Sequence, residues 1–202
     1  MFLRRLLLSL LLVLPAAARA EDAASALAAR LAPLAQLSGR FEQSVENGGA
    51  ATPAHSAGRF SLRRPDQFRW EITEPDSQLL VASDGVLWHY DRDLATATRR
   101  RFDDGAAAPL LLLAADAPAL TEAFVVEATG PDRYRVVPRA ADAGFREAEL
   151  TFAGPLPATM RIIDRLGQAI DIRFSDLDEA PLAEGTFEFT PPADVDVYRE
   201  GD

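Results

Sequence analysis

The two histidines are the side chains with which this chain could perform acid–base chemistry. The sequence contains only His55 and His89, and it has no cysteine. A hydrolase acting on lipids would need a nucleophile, a base and an oxyanion site, and the G-x-S-x-G nucleophile elbow is absent from the sequence. In a strand over 86–91, His89 alternates with Trp88 and Tyr90, and we expect it to face outward into solvent. We therefore predict that the protein is not an enzyme.

Carboxylates cluster in two places where a metal ion could be considered. Asp91 and Asp93 form one group, and Asp176, Asp178 and Glu179 form the other. Neither group has the ligand spacing of an EF-hand calcium loop, so we expect solvated side chains in turns and no metal ion. The sequence also has no glycine-rich phosphate loop. We predict no bound nucleotide and no other cofactor.

Arg64 has the most unusual predicted surroundings of any charged residue. Alternation along a strand at 57–64 places it on the face of Phe60 and Leu62, opposite Arg63. A guanidinium among apolar groups needs hydrogen-bond acceptors, and the unpaired carbonyls at a helix end would supply them. Alternatively, because Arg64 ends its strand, the side chain extends to water. The residues by themselves favour this second interpretation.

The elements that must position these residues are mostly short strands. From position 38 onward the apolar pattern has a period of two and is interrupted by turn-forming residues. This pattern predicts strands at 39–46, 57–64, 67–73, 77–83, 86–91, 95–101, 123–129, 132–138, 145–153, 157–164, 168–175 and 186–190. About a dozen short strands with tight turns predict an antiparallel barrel or a strongly curved sheet.

A helix is predicted before the strands, over 22–37. Leu27, Leu31 and Leu34 recur at a helical spacing and form one apolar stripe. Pro33 interrupts this pattern because an interior proline kinks or ends a helix. We therefore expect a bend or a break at the residue before it.

A second helical region is predicted at 105–122, between two series of strands. Its alanines and leucines favour helix over strand. Pro109 suits a first helical position, and Pro118 would open a second short helix. The four consecutive leucines at 110–113 cannot all face one side. Both sides of this insert therefore need apolar cover, unless one side faces a ligand.

The first twenty residues have the pattern of a cleavable secretory signal. Arg4 and Arg5 precede an apolar run at 6–14, and a short Ala-Arg-Ala sequence ends at Ala20. The alternative, a membrane anchor, would need about 20 apolar residues, roughly twice the length of this run. We predict a signal at 1–20, followed by a single secreted domain at 21–202.

Charge and composition narrow the partners of the mature chain. Removing residues 1–20 takes away three arginines and no acid, which changes the formal charge from −10 to −13. So acidic a protein is repelled by nucleic acid and by anionic lipid headgroups, and we predict no nucleic-acid partner. Because a bacterial lipoprotein is acylated on cysteine, this cysteine-free chain is not itself lipidated.

Several short runs together resemble the LolA family of periplasmic lipoprotein carriers. Their order and spacing fit that family over roughly residues 38–198. The matching runs are GRFEQ at 39–43, GRFSLRRP at 58–65, FRW at 68–70, QLLV at 78–81, SDG at 83–85, LW at 87–88, YD at 90–91, FEFTPP at 187–192 and VDV at 195–197.

The resemblance implies an incomplete antiparallel barrel, with a lid of short helices at about 106–122 over an apolar cavity. By the same resemblance, Arg64 hydrogen-bonds lid backbone and holds the empty carrier closed, which reverses the preference drawn from the residues alone. The candidate lining of the acyl-chain cavity is Phe60, Leu62, Phe68, Trp70, Leu110, Leu112 and Met160. Each of these residues could equally be ordinary core.

The resemblance also implies partners for a monomeric carrier. It would take acylated lipoproteins from an inner-membrane, ATP-driven release complex and deliver them to an outer-membrane receptor lipoprotein of similar fold. A related lipid-binding domain with another task remains an alternative: a sensor of mislocalised lipoproteins, or a carrier of a different lipid. A purely structural periplasmic protein is the third possibility.

Overall fold

A computed structural model describes residues 16–46, 52–101, 112–113, 117–141 and 143–200. These residues form twelve strands and two helices, α1 (Ala16–Leu31) and α2 (Ala117–Ala123). The strands are β1 (Gln36–Glu46), β2 (Ala54–Arg63), β3 (Gln67–Glu74), β4 (Gln78–Ser83), β5 (Val86–Asp91), β6 (Thr96–Arg101), β7 (Phe124–Gly130), β8 (Arg133–Pro138), β9 (Phe145–Ala153), β10 (Leu156–Asp164), β11 (Ala169–Asp178) and β12 (Asp196–Arg199). Neither helix is long and apolar enough to cross a membrane.

All twelve strands belong to one open sheet. Their spatial order is β12-β6-β5-β4-β3-β2-β1-β11-β10-β9-β8-β7. Every neighbouring pair is antiparallel except β12 and β6, which are parallel. Since β1 pairs with β11, the first and the eleventh strand meet in the middle of the sheet. The β7 edge is covered, because α1 and α2 pack against it and against each other.

The strand prediction is confirmed except at its end. The first eleven predicted strands match β1 to β11 within three residues at each boundary. The prediction of a strand at 186–190 is wrong, because this segment consists of a turn followed by irregular chain. The last strand is instead β12, which starts at Asp196. Phe187 and Phe189 are two residues apart, which is the spacing of a strand. Their rings instead pack an irregular segment against the sheet.

The helix prediction is correct in its apolar stripe and wrong in its C-terminal end. Leu27, Leu31 and Leu34 are at most 3% exposed. However, α1 ends at Leu31, and the last two residues of the predicted helix, 36 and 37, belong to β1. Pro33 explains the break, because its ring would clash with the carbonyl four residues earlier and it has no N–H to donate. The expectation of a break before Pro33 is confirmed.

Arg30 connects the end of α1 to the turns between β7 and β8 and between β9 and β10. Its guanidinium forms an ion pair with Asp132 and donates a hydrogen bond to the carbonyl of Gly154 at 3.1 Å. It also lies over the ring of Phe152, 5.0 Å from the centroid. A cation in the last turn is favourable as well, because the C-terminal end of a helix carries partial negative charge. These contacts set where the chain leaves α1 and enters β1.

The predicted helical insert is described only in part. α2 begins at Ala117, one residue before Pro118, so the prediction of a second short helix is confirmed. Leu112 and Leu113 form a turn, and each is only 1% exposed. The first predicted helix of the insert, with Pro109 and Leu110, lies outside the described residues, as does the predicted signal before residue 16. The cleavage point predicted after Ala20 falls within α1.

Candidate functional site

One face of the sheet, here called the inner face, carries the main apolar core and is covered by α1, α2 and the turn at 112–113. On β2 and β3 the register pairs Phe60 with Trp70 and Leu62 with Phe68. Each of these four side chains is at most 2% exposed. The alternation predicted from the sequence is therefore confirmed, and it brings four of the candidate cavity residues into one patch.

A close backbone approach gives this patch its aromatic packing. The ring of Trp70 stacks on Phe41 of β1, with 3.5 Å between the ring centroids. Gly58 lies opposite Phe41 in the register of β1 and β2. A Cβ at Gly58 would lie 1.9 Å from the carbonyl oxygen of Glu71 and 2.8 Å from the Phe41 ring. Glycine is thus required at this position for the strands and rings to meet.

Two further candidates reach the same core from elsewhere in the chain. Leu112 belongs to the turn that covers the inner face, and Met160 lies on β10 in the other half of the sheet. Leu112 is 1% exposed and Met160 is fully buried, and both belong to the cluster that contains Trp70. The remaining candidate, Leu110, lies outside the described residues. The six described candidates are thus brought together as one continuous apolar surface.

The guanidinium of Arg64 connects the apolar inner face of the sheet, here called the wall, to the segments that cover it. Its Nε donates a hydrogen bond to the carbonyl of Leu34 at 3.0 Å, and one terminal nitrogen donates to the carbonyl of Leu113 at 2.8 Å. Its backbone N–H donates to the carbonyl of Ala35 at 3.0 Å. The first acceptor belongs to the loop after α1, and the second belongs to the turn at 112–113. The side chain is half-buried and hydrogen-bonded to backbone on two separate segments.

The neighbouring Arg63 has a parallel role on the opposite, outer face. It donates a hydrogen bond to the carbonyl of Leu182 at 3.1 Å, and it lies over the ring of Phe187, 5.2 Å from the centroid. Phe187 belongs to a second, smaller core with Leu79 and Val81 on the outer side of β4. Residues 182–189, here called the outer segment, are therefore held on the sheet by apolar and polar contacts together. Sequence reasoning missed this segment because it predicted a strand there.

His89 does not lie where the sequence predicted. In the register of β4, β5 and β6 it is flanked by Leu80 and Thr98. It shares the inner face with Leu87, which belongs to the main core, whereas Trp88 packs on Phe189 of the outer segment. The expectation that His89 faces outward is therefore wrong. Two-residue alternation separates the two sets of side chains correctly but does not say which set faces the core.

The environment of His89 disfavours its charged form. Burial is the largest cause and lowers the pKa of the imidazole. The charge of Arg100 lowers this pKa further, while Asp91 opposes the shift. One ring nitrogen lies 3.3 Å from the amide oxygen of Gln78. Polar side chains on β5 and β6 thus form a margin beside the apolar wall. The sequence analysis did not predict this margin.

The two carboxylate groups considered for metal binding serve turns and an ion pair. Asp91 accepts a hydrogen bond from the backbone of Leu94 at 3.0 Å, and Asp93 accepts one from Ser77 at 2.8 Å. Asp178 accepts the backbone N–H of Ala180 at 2.8 Å, and Asp176 pairs with Arg40. Within the described parts of the chain, no three His, Asp or Glu residues converge on a point where a metal ion could sit.

A comparison with solved structures finds a similar fold in another protein. A LolA superfamily protein from Nitrosomonas europaea superposes on 83% of this chain and 98% of its own, with a TM-score of 0.52 and 11% sequence identity. At that identity the likeness concerns the fold alone. The two proteins thus share one architecture, an open antiparallel sheet with helices on one face.

Sequence comparison assigns the family. The family model described as outer membrane lipoprotein carrier protein LolA matches residues 33–190. An outer-membrane lipoprotein carrier protein from Bordetella avium is 32% identical over 198 residues, which is 95% of this chain and 94% of the relative. A protein of the same description from Methylococcus capsulatus is 35% identical over 150 residues, 72% of each chain. The chain belongs to the LolA family, and the resemblance inferred from its motifs is confirmed.

Proposed function

We propose that this protein carries lipoproteins through the periplasm by shielding their acyl chains against the inner face of the sheet. The observation that carries the proposal is the continuous apolar surface from Trp70 to Met160, covered by segments that a hydrogen-bonded Arg64 connects to the wall. Family membership supplies the cargo class, because relatives across most of the chain are outer-membrane lipoprotein carrier proteins. No catalytic step is part of this role.

The apolar inner face has the chemistry that acyl chains require. Each methylene transferred from water to an apolar surface contributes about 0.8 kcal/mol, so exposed chains would drive aggregation or return to a membrane. In this structure the candidate cavity residues on β2, β3 and β10 belong to one buried cluster with Leu112 and with the leucines of α1. Cargo must therefore displace these covering residues and take over their contacts. Binding of cargo is therefore coupled to opening of the inner face in this mechanism.

Release of cargo requires that the closed, empty state be close in free energy to the open, cargo-bound state. A carrier whose binding-competent form is a minor population binds its cargo more weakly, in proportion to that population. The bonds from Arg64 to the carbonyls of Leu34 and Leu113 stabilise the closed form. Each is a charge-assisted hydrogen bond, worth about 1.5–3 kcal/mol. Arg64 thereby limits affinity so that cargo can pass to a receptor.

The proposed route has two membrane partners. An inner-membrane, ATP-driven release complex loads the carrier, and an outer-membrane receptor lipoprotein unloads it. We propose that the carrier acts as a monomer, because a single inner face provides the whole apolar surface. Its net negative charge keeps the carrier from adhering to anionic membrane surfaces between the two encounters.

The transport proposal is tested with inner-membrane vesicles that contain a labelled triacylated lipoprotein, the release complex and ATP. Native mass spectrometry of the supernatant should show a soluble one-to-one complex with the carrier, and an unacylated form of the cargo should give none. If the lipoprotein stays in the vesicles while the carrier is folded, the proposal fails. A complex that forms but is never handed to the receptor would favour a sensor.

The role of Arg64 is tested by comparing Arg64→Leu with Arg63→Leu in the same handover assay. Loss of the bonds to the covering segments should make Arg64→Leu retain cargo, with an apparent affinity higher by on the order of tenfold. Arg63→Leu removes a guanidinium one residue away on the opposite face and should hand over cargo normally. Equal handover by both variants would count against a latch at Arg64.

A further inference from the structure

The inner face changes from apolar to polar along its rows of paired residues. One row runs from Leu62 through Phe68, Ala82 and Leu87 to Arg100, each residue directly paired with the next across neighbouring strands. The first four residues of this row belong to the main core, and each is at most 1% exposed. Arg100 is half-buried and forms the polar end of the row.

The adjacent row shows the same gradient. It runs from Phe60 and Trp70, both buried, through Leu80 to His89 and Thr98, which are half-buried. The apolar wall therefore ends in a margin of hydrogen-bonding side chains on β5 and β6. This margin lies on the same face as the proposed acyl-chain surface and continues it without interruption.

Arg100 has a buried donor with no partner among the residues that the structure describes. Its Nε is buried, yet among the described residues this atom is the one buried side-chain nitrogen or oxygen without a hydrogen-bond partner. Such groups are rare in folded proteins, because an unpaired buried donor lowers stability. By contrast, His89 in the same margin is 3.3 Å from an acceptor on Gln78. The free donor thus points to an acceptor that arrives with a ligand.

We propose that the Nε of Arg100 donates a hydrogen bond to an ester carbonyl at the head of the cargo's acyl chains, and so fixes which way the lipid lies in the carrier. The inference rests on the proposed function and deepens it. A diacylglyceryl group has long apolar tails and ester oxygens at one end. If this group lies along the rows, its apolar tails contact the apolar wall and its ester carbonyl meets the Nε of Arg100. Arg100 is a specificity-determining residue that distinguishes ester-linked lipids from chains of equal length without carbonyls.

The test compares the binding of two lipopeptides to the unaltered protein. One carries a diacylglyceryl cysteine with ester-linked chains, and the other carries the same chains through ether links, which remove the carbonyl acceptors. Binding is measured by competition with a fluorescent fatty acid. The unaltered protein should bind the ester form about tenfold more tightly, as expected for a hydrogen bond from a charged donor. Equal affinity for the two lipopeptides would overturn the proposal.

Two variants locate the effect. Arg100→Met keeps an unbranched side chain and removes the donor, so it should bind both lipopeptides with the affinity that the unaltered protein shows for the ether form. Arg99→Met alters the preceding residue, which pairs with Trp88 on the outer face, and should preserve the tenfold preference. Loss of the preference in Arg99→Met, or its persistence in a folded Arg100→Met, would also overturn the proposal.

The outcomes separate this inference from the function on which it rests. If the unaltered protein binds both lipopeptides equally well, the carrier function stands and the role of Arg100 falls. If it binds neither, the carrier function falls and takes the role of Arg100 with it. Because the ester–ether comparison needs no variant, a misfolded Arg100→Met does not prevent a decision.

Discussion

Arg63 and Arg64 are adjacent in sequence and hold different segments to opposite faces of the same sheet. Arg63 donates to Leu182 of the outer segment, and Arg64 donates to Leu34 and Leu113 on the inner face. Both guanidinium groups are half-buried and both bond to backbone carbonyls. The polar fastening is thus nearly the same on the two faces, whereas the apolar contacts beneath it differ.

The difference lies in what can replace those apolar contacts. Phe187 packs in a small core with Leu79 and Val81, and nothing in the proposed function displaces it. On the inner face, Leu112 and Leu113 cover a wall that acyl chains can also cover. In the proposed mechanism, opening that face with cargo present loses little apolar burial, and the bonds of Arg64 decide the balance. On the proposed mechanism, similar hydrogen bonds make a fixed attachment on the outer face and a releasable one on the inner face.

The largest expected effect tests the fixed attachment. Phe187→Ala should reduce the free energy of unfolding by about 3 kcal/mol, because a large ring that is 5% exposed is removed from a closed cluster. Urea denaturation followed by tryptophan fluorescence measures the loss. Cargo handover by the folded fraction should remain normal, since the inner face is untouched.

Phe189→Ala is the matched control for this prediction. Phe189 is only half-buried and packs edge-on against Trp88. Its removal should cost about 1 kcal/mol. If the two variants lose equal stability, or if Phe187→Ala blocks handover, the outer segment is not the independent attachment described above.

An intermediate effect is expected when the two arginines are compared by stability instead of by transport. Arg63→Leu loses the hydrogen bond to Leu182 and the contact with the Phe187 ring, and should destabilise the fold by about 1.5 kcal/mol. Arg64→Leu loses two side-chain hydrogen bonds and should be destabilised more, by about 2.5 kcal/mol. Thermal and urea unfolding of both variants, without cargo, provide the measurement.

Adding cargo should separate these two variants. Acyl chains stabilise the open inner face, so a saturating lipopeptide should stabilise Arg64→Leu more than Arg63→Leu by the linkage between binding and folding. An equal gain for both would mean that the two attachments respond to cargo in the same way. The inner attachment would then not be the one that opens for cargo.

The smallest effect concerns the pH dependence of stability at the polar margin. Burial lowers the pKa of His89 in the folded protein below its usual value of about 6.5. The unfolded chain therefore binds the proton more readily, and stability falls as the pH decreases through about 6.5 and below. His89→Gln has no proton to gain, so its stability should fall less between about pH 7.5 and about pH 5.

The second histidine provides the control for this experiment. His55 is exposed, so His55→Gln should keep the acid-dependent loss of the unaltered protein. Urea unfolding at a series of pH values gives both curves. If the two curves coincide, or if His89→Gln is the more acid-sensitive variant, the margin around His89 is not the buried environment that lowers its pKa.

Much of the fold could be predicted from residue periodicity. The period-two pattern located eleven strands, and the leucine stripe located the buried side of α1. Pro33 marked the end of that helix correctly, since the effect of proline on a helix is local. The strand predicted at 186–190 failed, because local alternation does not distinguish sheet pairing from an irregular segment anchored by two aromatic rings.

The candidate site divides in the same way. Phe60, Leu62, Phe68 and Trp70 could be grouped from sequence, because alternation assigns side chains of one strand to a common face. The acceptors of Arg64 could not, since Leu34 and Leu113 lie 30 and 49 residues away along the chain. The orientation of His89 could not be predicted either, because alternation leaves open which face is covered.

The sequence by itself determined the family, the first eleven strands and the division of their side chains between two faces, since these depend on residue types at short separations. The tertiary structure decided which face α1, α2 and the turn at 112–113 would cover, and so which side chains became an inner wall. It also decided that two adjacent arginines hold different segments, and that Arg100 ends an apolar row. These facts depend on contacts between residues distant in sequence, and burial and hydrogen bonding become definite only when such residues meet.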